Sequence, residues 1–331
     1  MDRPASSSSF ASAKTSCTAD ERGEACAAAL SRLKHVHNAR DLAEALPGVI
    51  KPGRLFRSGS PAAASEADAL VLRRDLAIQC FVDFRSSAEH KEDRSWPHLL
   101  SEGVIKTYDA SGGVEEETLD SFPGLVQEDE APLPPAELHR LSLLERSKFI
   151  RGLLPHLPYW TVAAAAWYKL IGDEQGMRGA IVPVLNEGGL LLIYQILLET
   201  SGAELARTLG ILLDAAQRRR PALFFCKLGK DRTGTAAALA LAACGASRDE
   251  IVADYARSHG LHEVALGGIE KMDDTQGMDA SIFESAPPEA MHALINYAEQ
   301  TYGGLRAYMA KIGFGPDKQD ALRAALSQGD W

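Results

Sequence analysis

The sequence is poor in the features that mark secreted, membrane-spanning or metal-binding proteins. It has five cysteines in 331 residues. They are odd in number and widely spaced, without the pairs that a disulfide framework, a zinc site or a redox motif needs. No uninterrupted apolar run reaches the roughly 18 residues of a membrane-spanning helix, and the N-terminus shows no signal-peptide core. We therefore expect free thiols, no metal, no cofactor, no integral membrane segment and a cytoplasmic location.

Positive charge is also scarce. The chain has 35 basic and 45 acidic residues, a formal net charge of −10, which argues against a nucleic-acid-binding protein. Against this background, the residues 218–220, Lys227, Lys230 and Arg232 form a local basic cluster. Such a cluster on an acidic protein predicts a small anionic ligand, although residues 218–220 are better explained as a solvated run of arginines.

The order of apolar patterns predicts one α/β domain. Residues 1–30 are rich in serine and alanine and predict a disordered low-complexity tail. A transit peptide, and with it an organelle location, is the alternative for this tail. Residues 31–331 begin with short strands such as Ile78–Phe84 and continue with many helices. This order predicts a short, mostly parallel central sheet flanked by helices.

The segment 110–185 is harder to assign and is predicted to be an insertion. Residues 111–136 are acidic and contain prolines, which predicts an exposed loop, whereas 139–171 read as apolar helix. A buried helix is the ordinary interpretation of such an apolar stripe. The alternatives are a lid over a site, or a helix that makes peripheral contact with a membrane.

The most informative stretch is Phe225–Gly234. The apolar residues Ala222–Phe225 precede it and a helical run, Thr235–Ala243, follows it. A strand, a tight loop and a helix in this order direct backbone N–H groups at a phosphate. Within the loop, Cys226 is the predicted nucleophile and Arg232 the planar fork that binds phosphate oxygens. The predicted substrate-binding residues are Lys227, Leu228, Gly229, Lys230, Thr233 and Gly234.

The reaction also needs an acid to protonate the leaving oxygen. Asp231, inside the loop, is the preferred candidate, and Asp109, which follows a strand, is the alternative. The spacing of cysteine and arginine is not sufficient evidence, because Cys26 and Arg32 repeat it without a glycine, a lysine or a preceding strand. The context of Cys226 makes the difference.

The loop Cys226–Gly234 resembles the signature of the protein tyrosine phosphatase superfamily, in the branch of microbial, fungal and plant tyrosine and lipid phosphatases. Further blocks resemble that branch in their usual order: Asn38–Leu42, Pro52–Gly59, Val82–Ser86 with Glu89, Asp254–Tyr255, Pro287–Met291 and Tyr302–Gly304. The resemblance implies a tyrosine-phosphatase-like fold and the nucleophile, phosphate-binding and acid roles for Cys226, Arg232 and Asp231. It also implies hydrolysis of phosphate monoesters, with phosphotyrosine-type protein substrates, through a phosphocysteine. One position departs, since Phe225 stands where the family usually has histidine.

Two alternatives for the function stay open. Lys227 and Lys230 resemble the loop lysines of phosphatases that act on phosphoinositides or inositol phosphates, because additional phosphates need additional cations. Phe225 favours a weakly active phosphate-binding module instead. Among neighbouring residues, Arg85 and Glu89 are a candidate ion pair. Cys80 is predicted to be a buried free cysteine, the commoner case, with a resolving thiol for oxidised Cys226 as the alternative.

Overall fold

The computed structural model describes residues 18–90, 99–100, 103–109, 113–119, 133–259, 277–283, 285–329 and 331. Within this part of the chain, the strands form one seven-stranded sheet. In chain order they are β1 (Arg40–Asp41), β2 (Leu55–Ser58), β3 (Cys80–Asp83), β4 (Gly103–Tyr108), β5 (Val114–Leu119), β6 (Ala136–Arg140) and β7 (Ala222–Phe225). Their order across the sheet is β1-β2-β7-β3-β6-β4-β5.

Strand β7 lies inside the sheet with a parallel neighbour on each side. Phe224 of β7 aligns with Arg57 on β2 and with Val82 on β3. The pairings β3-β6 and β6-β4 are also parallel, and the edge strands β1 and β5 are antiparallel to their neighbours. Because parallel strands end at the same edge of a sheet, the residues that follow β2, β3 and β7 meet there. The predicted α/β domain with a mostly parallel sheet is confirmed.

Helices cover both faces of this sheet. In chain order the described α-helices are α1 (Ala19–Leu30), α2 (Glu66–Leu70), α3 (Ser87–His90), α4 (Arg146–Leu153), α5 (Tyr159–Leu170), α6 (Glu174–Thr200), α7 (Gly202–Gln217), α8 (Asp231–Ala243), α9 (Arg248–Ala256), α10 (Ala280–Phe283), α11 (Pro288–Tyr302), α12 (Leu305–Lys311) and α13 (Pro316–Ser327). Short 3-10 turns occur at Leu42–Glu44, Pro61–Ala63 and Leu154–His156, and one π-helical turn at Val71–Asp75.

Side chains of β7 alternate between two hydrophobic cores. Ala222 and Phe224 face the larger core, which includes α7, α8 and the C-terminal helices. Leu223 and Phe225 face the smaller core, which includes α1 and α2. A strand that is buried on both faces needs apolar residues at every position, which explains the uninterrupted run before Cys226.

Helix α6 combines a core half with an outer half. Gly189 has a φ of 55° and interrupts the helical backbone between them. Beyond it, Tyr194, Ile196 and Leu197 are fully buried. An 18-residue window of α6 has a mean hydropathy of 1.7, so by length and composition alone the helix could cross a membrane, although 39% of that window is buried inside the protein. The core helix of a protein without membrane spans passes the same test.

The predicted tail is wrong for its last twelve residues, because Ala19–Leu30 form α1. Thr18 and Glu21 cap this helix reciprocally, each side chain bonding the other residue's backbone N–H. Cys26 and Ala29 are buried in the smaller core. The remainder of the predicted tail, residues 1–17, lies outside the described residues.

The segment 110–185 belongs partly to the central sheet, which corrects the predicted insertion. Strand β6 lies between β3 and β4, and its Ala136 and Leu138 are fully buried. Strand β5 is an exposed edge whose glutamates, 115–117, oppose pairing with another chain. Residues 111–112 and 120–132 of the predicted loop lie outside the described residues. The lid stays a prediction.

Candidate active site

Cys226 follows β7 directly and lies at the carboxyl edge of the sheet. Its side chain is buried, with 3% of the residue exposed. The chain then turns through Lys227–Lys230 and enters α8 at Asp231. The first residues of a helix have N–H groups without intrahelical partners, and these carry partial positive charge. The structure therefore brings Cys226, Asp231 and Arg232 together on one loop and helix start.

The loop carbonyls are held from outside. Three successive carbonyls accept hydrogen bonds: Lys227 from Ser60 N–H (3.0 Å), Leu228 from Asn38 Nδ2 (3.2 Å), and Gly229 from Asn38 Nδ2 (2.9 Å) and Arg57 Nη2 (2.8 Å). Within the part of the chain that the structure describes, no backbone N–H from Leu228 to Thr233 donates a hydrogen bond. Carbonyls fixed outward and N–H groups left unused are the properties of an anion-binding nest.

Gly229 permits the close approach of the loop to β2. Its φ of 68° lies in the left-handed region, which disfavours residues with a Cβ. A Cβ built there would lie 2.4 Å from the carbonyl carbon and oxygen of Ser58. Because those atoms are backbone, they cannot move aside cheaply, and the position requires glycine.

Buried charges anchor the loop through the carbonyl of Gly229. Asp254 on α9 accepts hydrogen bonds from Arg40 Nε (2.7 Å) and from Arg57 Nη1. All three side chains are at most 4% exposed. Burial alone would raise the pKa of Asp254, but the charges of Arg57 and Arg40 lower it below the ordinary value. Since Arg57 also binds the carbonyl of Gly229, this cluster connects α9 to the loop.

Arg232 is oriented by a bidentate ion pair with Glu89. Its Nη1 and Nη2 donate to the two carboxylate oxygens at 2.7 and 2.9 Å. Burial opposes ionisation of Glu89, yet these hydrogen bonds and the charge of Arg232 lower its pKa to about 2. For Arg232, burial lowers the pKa and the bonds to Glu89 raise it, and the net effect is upward. The paired carboxylate fixes the plane of the guanidinium, which has further donors for a phosphate.

Asp231 takes part in a chain of hydroxyl groups. Tyr194 of α6 donates to Asp231 Oδ1 at 3.0 Å, and its hydroxyl lies 2.6 Å from that of Tyr255 on α9. Burial and then the charge of Asp231 raise the pKa of Tyr194 well above its ordinary value. The Asp231 side chain is 27% exposed, so it remains accessible while Tyr194 holds it.

Asp109 lies elsewhere on the sheet edge. It follows β4, and β4 is separated from β7 by β6 and β3. Three strand spacings correspond to about 14 Å. The side chain of Asp109 accepts the N–H of Gly113 at 2.8 Å within the hairpin that joins β4 and β5.

The remaining loop residues differ in their surroundings. Lys230 is buried, and its Nζ donates to the carbonyls of Phe283 (2.5 Å) and Ser285 (2.7 Å). A substrate contact of Lys230 therefore requires this contact to break, whereas Lys227 is half-buried. The hydroxyl of Thr233 is buried and makes no hydrogen bond within the described residues. Gly234 lies against Tyr255, whose ring would be 3.0 Å from an added Cβ.

Phe225, in place of the expected histidine, packs in the smaller core. The guanidinium of Arg85 lies 5.6 Å from the centre of its ring. Arg85 itself forms an ion pair with Asp83 at 2.7 Å. The predicted pair of Arg85 with Glu89 is therefore wrong, because each has another partner. Through this ion pair, Asp83 holds the guanidinium of Arg85 beside the ring of Phe225.

Cys80 cannot act as a resolving thiol in this structure. It aligns with Ala222 at the opposite end of β7 from Cys226. Four residues of strand separate the two positions, about 13 Å. Burial raises the pKa of Cys80 to about 12, which also opposes formation of a thiolate. Within the described residues, no three His, Cys, Asp or Glu side chains are grouped in a way that could hold a metal ion.

Comparison with known proteins gives a consistent result. The model of the tyrosine phosphatase family matches residues 31–328. The chain belongs to this family. Triple specificity protein phosphatase PtpB of Mycobacterium tuberculosis is 27% identical over 317 residues, which cover 90% of the chain and 99% of PtpB. A relative in Cupriavidus necator whose name also places it among tyrosine-protein phosphatases is 29% identical, over 68% of the chain and 61% of its own length. A tyrosine-protein phosphatase of Nostoc commune is 32% identical over 34% of the chain and 42% of its own length.

Family membership makes the chain a phosphoric monoester hydrolase. The weakly active phosphate-binding module that Phe225 favours stays a prediction. Several residues that surround the loop of this tyrosine phosphatase were not predicted as site residues: Asn38, Arg40, Ser60, Tyr194, Asp254 and Tyr255. Asn38, Arg40, Asp254 and Tyr255 fall inside the blocks that carry the resemblance. Tyr194, within an apolar helix, gave no such signal.

Proposed function

We propose that this phosphatase hydrolyses phosphate monoesters of phosphotyrosine-type protein substrates through a phosphocysteine at Cys226. The observation that carries the proposal is the loop itself. Its carbonyls are bound from outside, the N–H groups from Leu228 to Thr233 donate to no described group, and Cys226 lies at its start. Such a loop can bind three phosphate oxygens around a sulfur nucleophile.

In the first step, the thiolate of Cys226 attacks phosphorus, and the bond between phosphorus and the ester oxygen breaks. The leaving oxygen takes the proton of the Asp231 carboxyl group, so no free alkoxide or phenoxide forms. Arg232 and the loop N–H groups stabilise the negative charge on the other phosphate oxygens. The pair with Glu89 keeps the Arg232 guanidinium in the orientation this requires.

In the second step, water attacks the phosphocysteine and the bond between sulfur and phosphorus breaks. The carboxylate of Asp231 accepts a proton from that water, and inorganic phosphate and the Cys226 thiolate are released. The buried hydroxyl of Thr233, which lacks a partner among the described groups, is available to donate to the leaving sulfur. Asp231 thus ends each cycle protonated, as it began.

Asp231 is favoured over Asp109 as the acid. Asp231 is five residues from the nucleophile at the start of α8, and it has a hydroxyl partner, Tyr194, that can hold it in both protonation states. Asp109 follows β4, which is three strand positions from β7 in the sheet, and its carboxylate accepts a hydrogen bond from the N–H of Gly113.

The nucleophile is tested with Cys226→Ser. We expect no turnover of para-nitrophenyl phosphate, with retained binding of a phosphorylated peptide. Cys244→Ser is the matched control, because Cys244 is also buried, at the far end of α8, where burial raises its thiol pKa to about 12. Activity that survives Cys226→Ser would refute the covalent mechanism.

The acid is tested with Asp231→Asn against Asp109→Asn. General acid catalysis contributes on the order of 10²–10⁴ in rate. Asp231→Asn should therefore slow alkyl phosphates by about that factor and slow activated aryl phosphates much less. If Asp109→Asn produces this dependence on the leaving group and Asp231→Asn does not, the assignment is wrong.

Phosphoinositides are the second proposed substrate class, with soluble inositol phosphates as a variant of it. Lys227 supplies a loop cation beside Arg232, and the related PtpB is named a triple specificity phosphatase. A panel of phosphotyrosine peptide, phosphoinositide and soluble inositol phosphate separates these substrates. Lys227→Ala should lower kcat/KM for the polyphosphorylated substrates more than for para-nitrophenyl phosphate. An equal loss for all of them would remove the argument from Lys227.

A further inference from the structure

Helix α5 turns apolar side chains toward solvent. Trp160, Trp167 and Leu170 share one helix face, and they are 61%, 59% and 79% exposed. Tyr159 and Ile171, at the two ends of the helix, are also exposed. A surface helix of a soluble protein normally presents polar residues there, so this face indicates a partner.

The segment that contains α4 and α5 also lacks acidic residues. The chain has 45 acidic residues, yet none occurs between Glu145 and Asp173. Arg146, Arg151 and Lys169 lie in this interval and are exposed. Within the described part of the chain, none of these three forms an ion pair. The exposed Ile150 on α4, and Leu154 at the start of the 3-10 turn that follows, come after Arg146 at helical spacing.

We infer that residues 146–171, here called the α4–α5 surface, bind the anionic face of a lipid bilayer. Tryptophan and tyrosine concentrate at the boundary between headgroups and acyl chains, because their rings are apolar and carry a polar group. Unpaired arginine and lysine in the same segment attract anionic headgroups. A two-fold dimer would place this basic surface against its own copy, whereas an anionic bilayer offers it the opposite charge.

Helix α6 connects the α4–α5 surface to the loop that contains Cys226. Both α4 and α5 pack against α6, and Tyr194 of α6 contacts Asp231. Binding of the α4–α5 surface to the bilayer would therefore bring α6 close to the bilayer as well. The binding step itself needs no turnover, so it can succeed or fail independently of the proposed reaction.

The experiment is co-sedimentation of the full chain with vesicles. We expect binding to vesicles of phosphatidylcholine with phosphatidylserine, little binding to phosphatidylcholine alone, and release by high salt, since exposed charges are screened. Arg151→Glu should weaken binding by at least about fivefold, because each basic residue near an anionic membrane contributes about that factor. Trp160→Ser combined with Trp167→Ser should weaken it by about tenfold or more.

Matched controls come from exposed residues elsewhere. Val114 is 49% exposed on the edge strand β5, and Arg218 has a 62% exposed side chain at the end of α7. Val114→Ser and Arg218→Glu should leave vesicle binding unchanged. Circular dichroism and turnover of para-nitrophenyl phosphate by each variant report whether the fold is retained.

Three results would overturn the inference. The first is absence of binding to phosphatidylserine vesicles, or binding that persists in the tryptophan double variant. The second is a dimer in sedimentation without lipid that the same double variant dissociates, which would assign the surface to a second copy. The third is binding that resists both salt and alkaline carbonate, which would indicate insertion of α6.

Discussion

Replacing Asp254 by asparagine removes the negative charge that lies between the buried side chains of Arg40 and Arg57. The substitution is isosteric, so it leaves the packing of α9 unchanged. Two guanidinium groups at most 4% exposed then lose their counter-ion. Burial already lowers the pKa of Arg40 to about 10 in the presence of that carboxylate.

The magnitude follows from this burial. Breaking a buried ion pair by removing one partner costs about 3–5 kcal/mol, because the remaining charge stays desolvated. A domain has roughly 5–15 kcal/mol of stability in total. Asp254→Asn should therefore lower the free energy of unfolding by about 3–5 kcal/mol and bring the protein close to unfolding. Because Arg57 binds the carbonyl of Gly229, turnover should fall even in the folded fraction.

The assay is urea unfolding at neutral pH, followed by activity of the folded variant. Asp320→Asn is the matched control, since Asp320 pairs with Arg306 at 3.0 Å but the two side chains are 70% and 46% exposed. An exposed pair contributes about 0–1 kcal/mol. A loss for Asp254→Asn no larger than for the control would refute the argument that this cluster anchors the loop.

The stability that Asp254 contributes depends on pH. The folded pKa of Asp254 lies below its ordinary value of 3.8. Its contribution is thus complete above that value and is lost as the pH falls through the folded pKa. The difference in stability between the wild type and Asp254→Asn should be constant near neutral pH and should shrink in strong acid. A difference that instead shrinks on the alkaline side would show that another group is responsible.

Three further predictions concern the loop. Gly229→Ala should abolish activity and destabilise the fold, because the added methyl group meets the backbone of Ser58. The control Gly48→Ala, with a φ of 77° and no atom within 4 Å of the added Cβ, should cost only the roughly 1–2 kcal/mol of left-handed strain. Equal unfolding midpoints of the two variants would contradict this prediction. Glu89→Gln should lower kcat/KM about 10- to 100-fold through the lost orientation of Arg232, and unchanged kinetics would exclude that role. Tyr194→Phe should shift the pH profile of kcat, because it removes the hydrogen-bond donor to Asp231. The control Tyr308→Phe removes a buried hydroxyl that donates to the Leu198 carbonyl of α6, and it should leave the profile unchanged. Identical pH profiles for the wild type and Tyr194→Phe would mean that Tyr194 has only a structural role.

The sequence predicted the strand, loop and helix around Cys226, because the three are contiguous in the chain. Apolar residues before Cys226, glycine within the loop and a helical run after it are sufficient to predict an anion-binding turn. Strand β6 was missed because it is short and carries Glu137, His139 and Arg140, so its pattern does not resemble a central strand. Helix α1 was missed because its alanine-rich composition resembles low complexity, although Thr18 and Glu21 have the spacing of a capping box.

By itself, the sequence indicated the fold class and which cysteine is the candidate nucleophile, since both depend on residues near each other in the chain. Only the tertiary structure decided what holds that loop. Glu89 and Arg232 are 143 positions apart, and Arg57 and Asp254 are 197 apart. A charge has no sequence periodicity that identifies its partner, so these pairs follow from the packing of strands and helices. The same is true of Tyr194, which reads as one more apolar position until α6 brings its hydroxyl to Asp231.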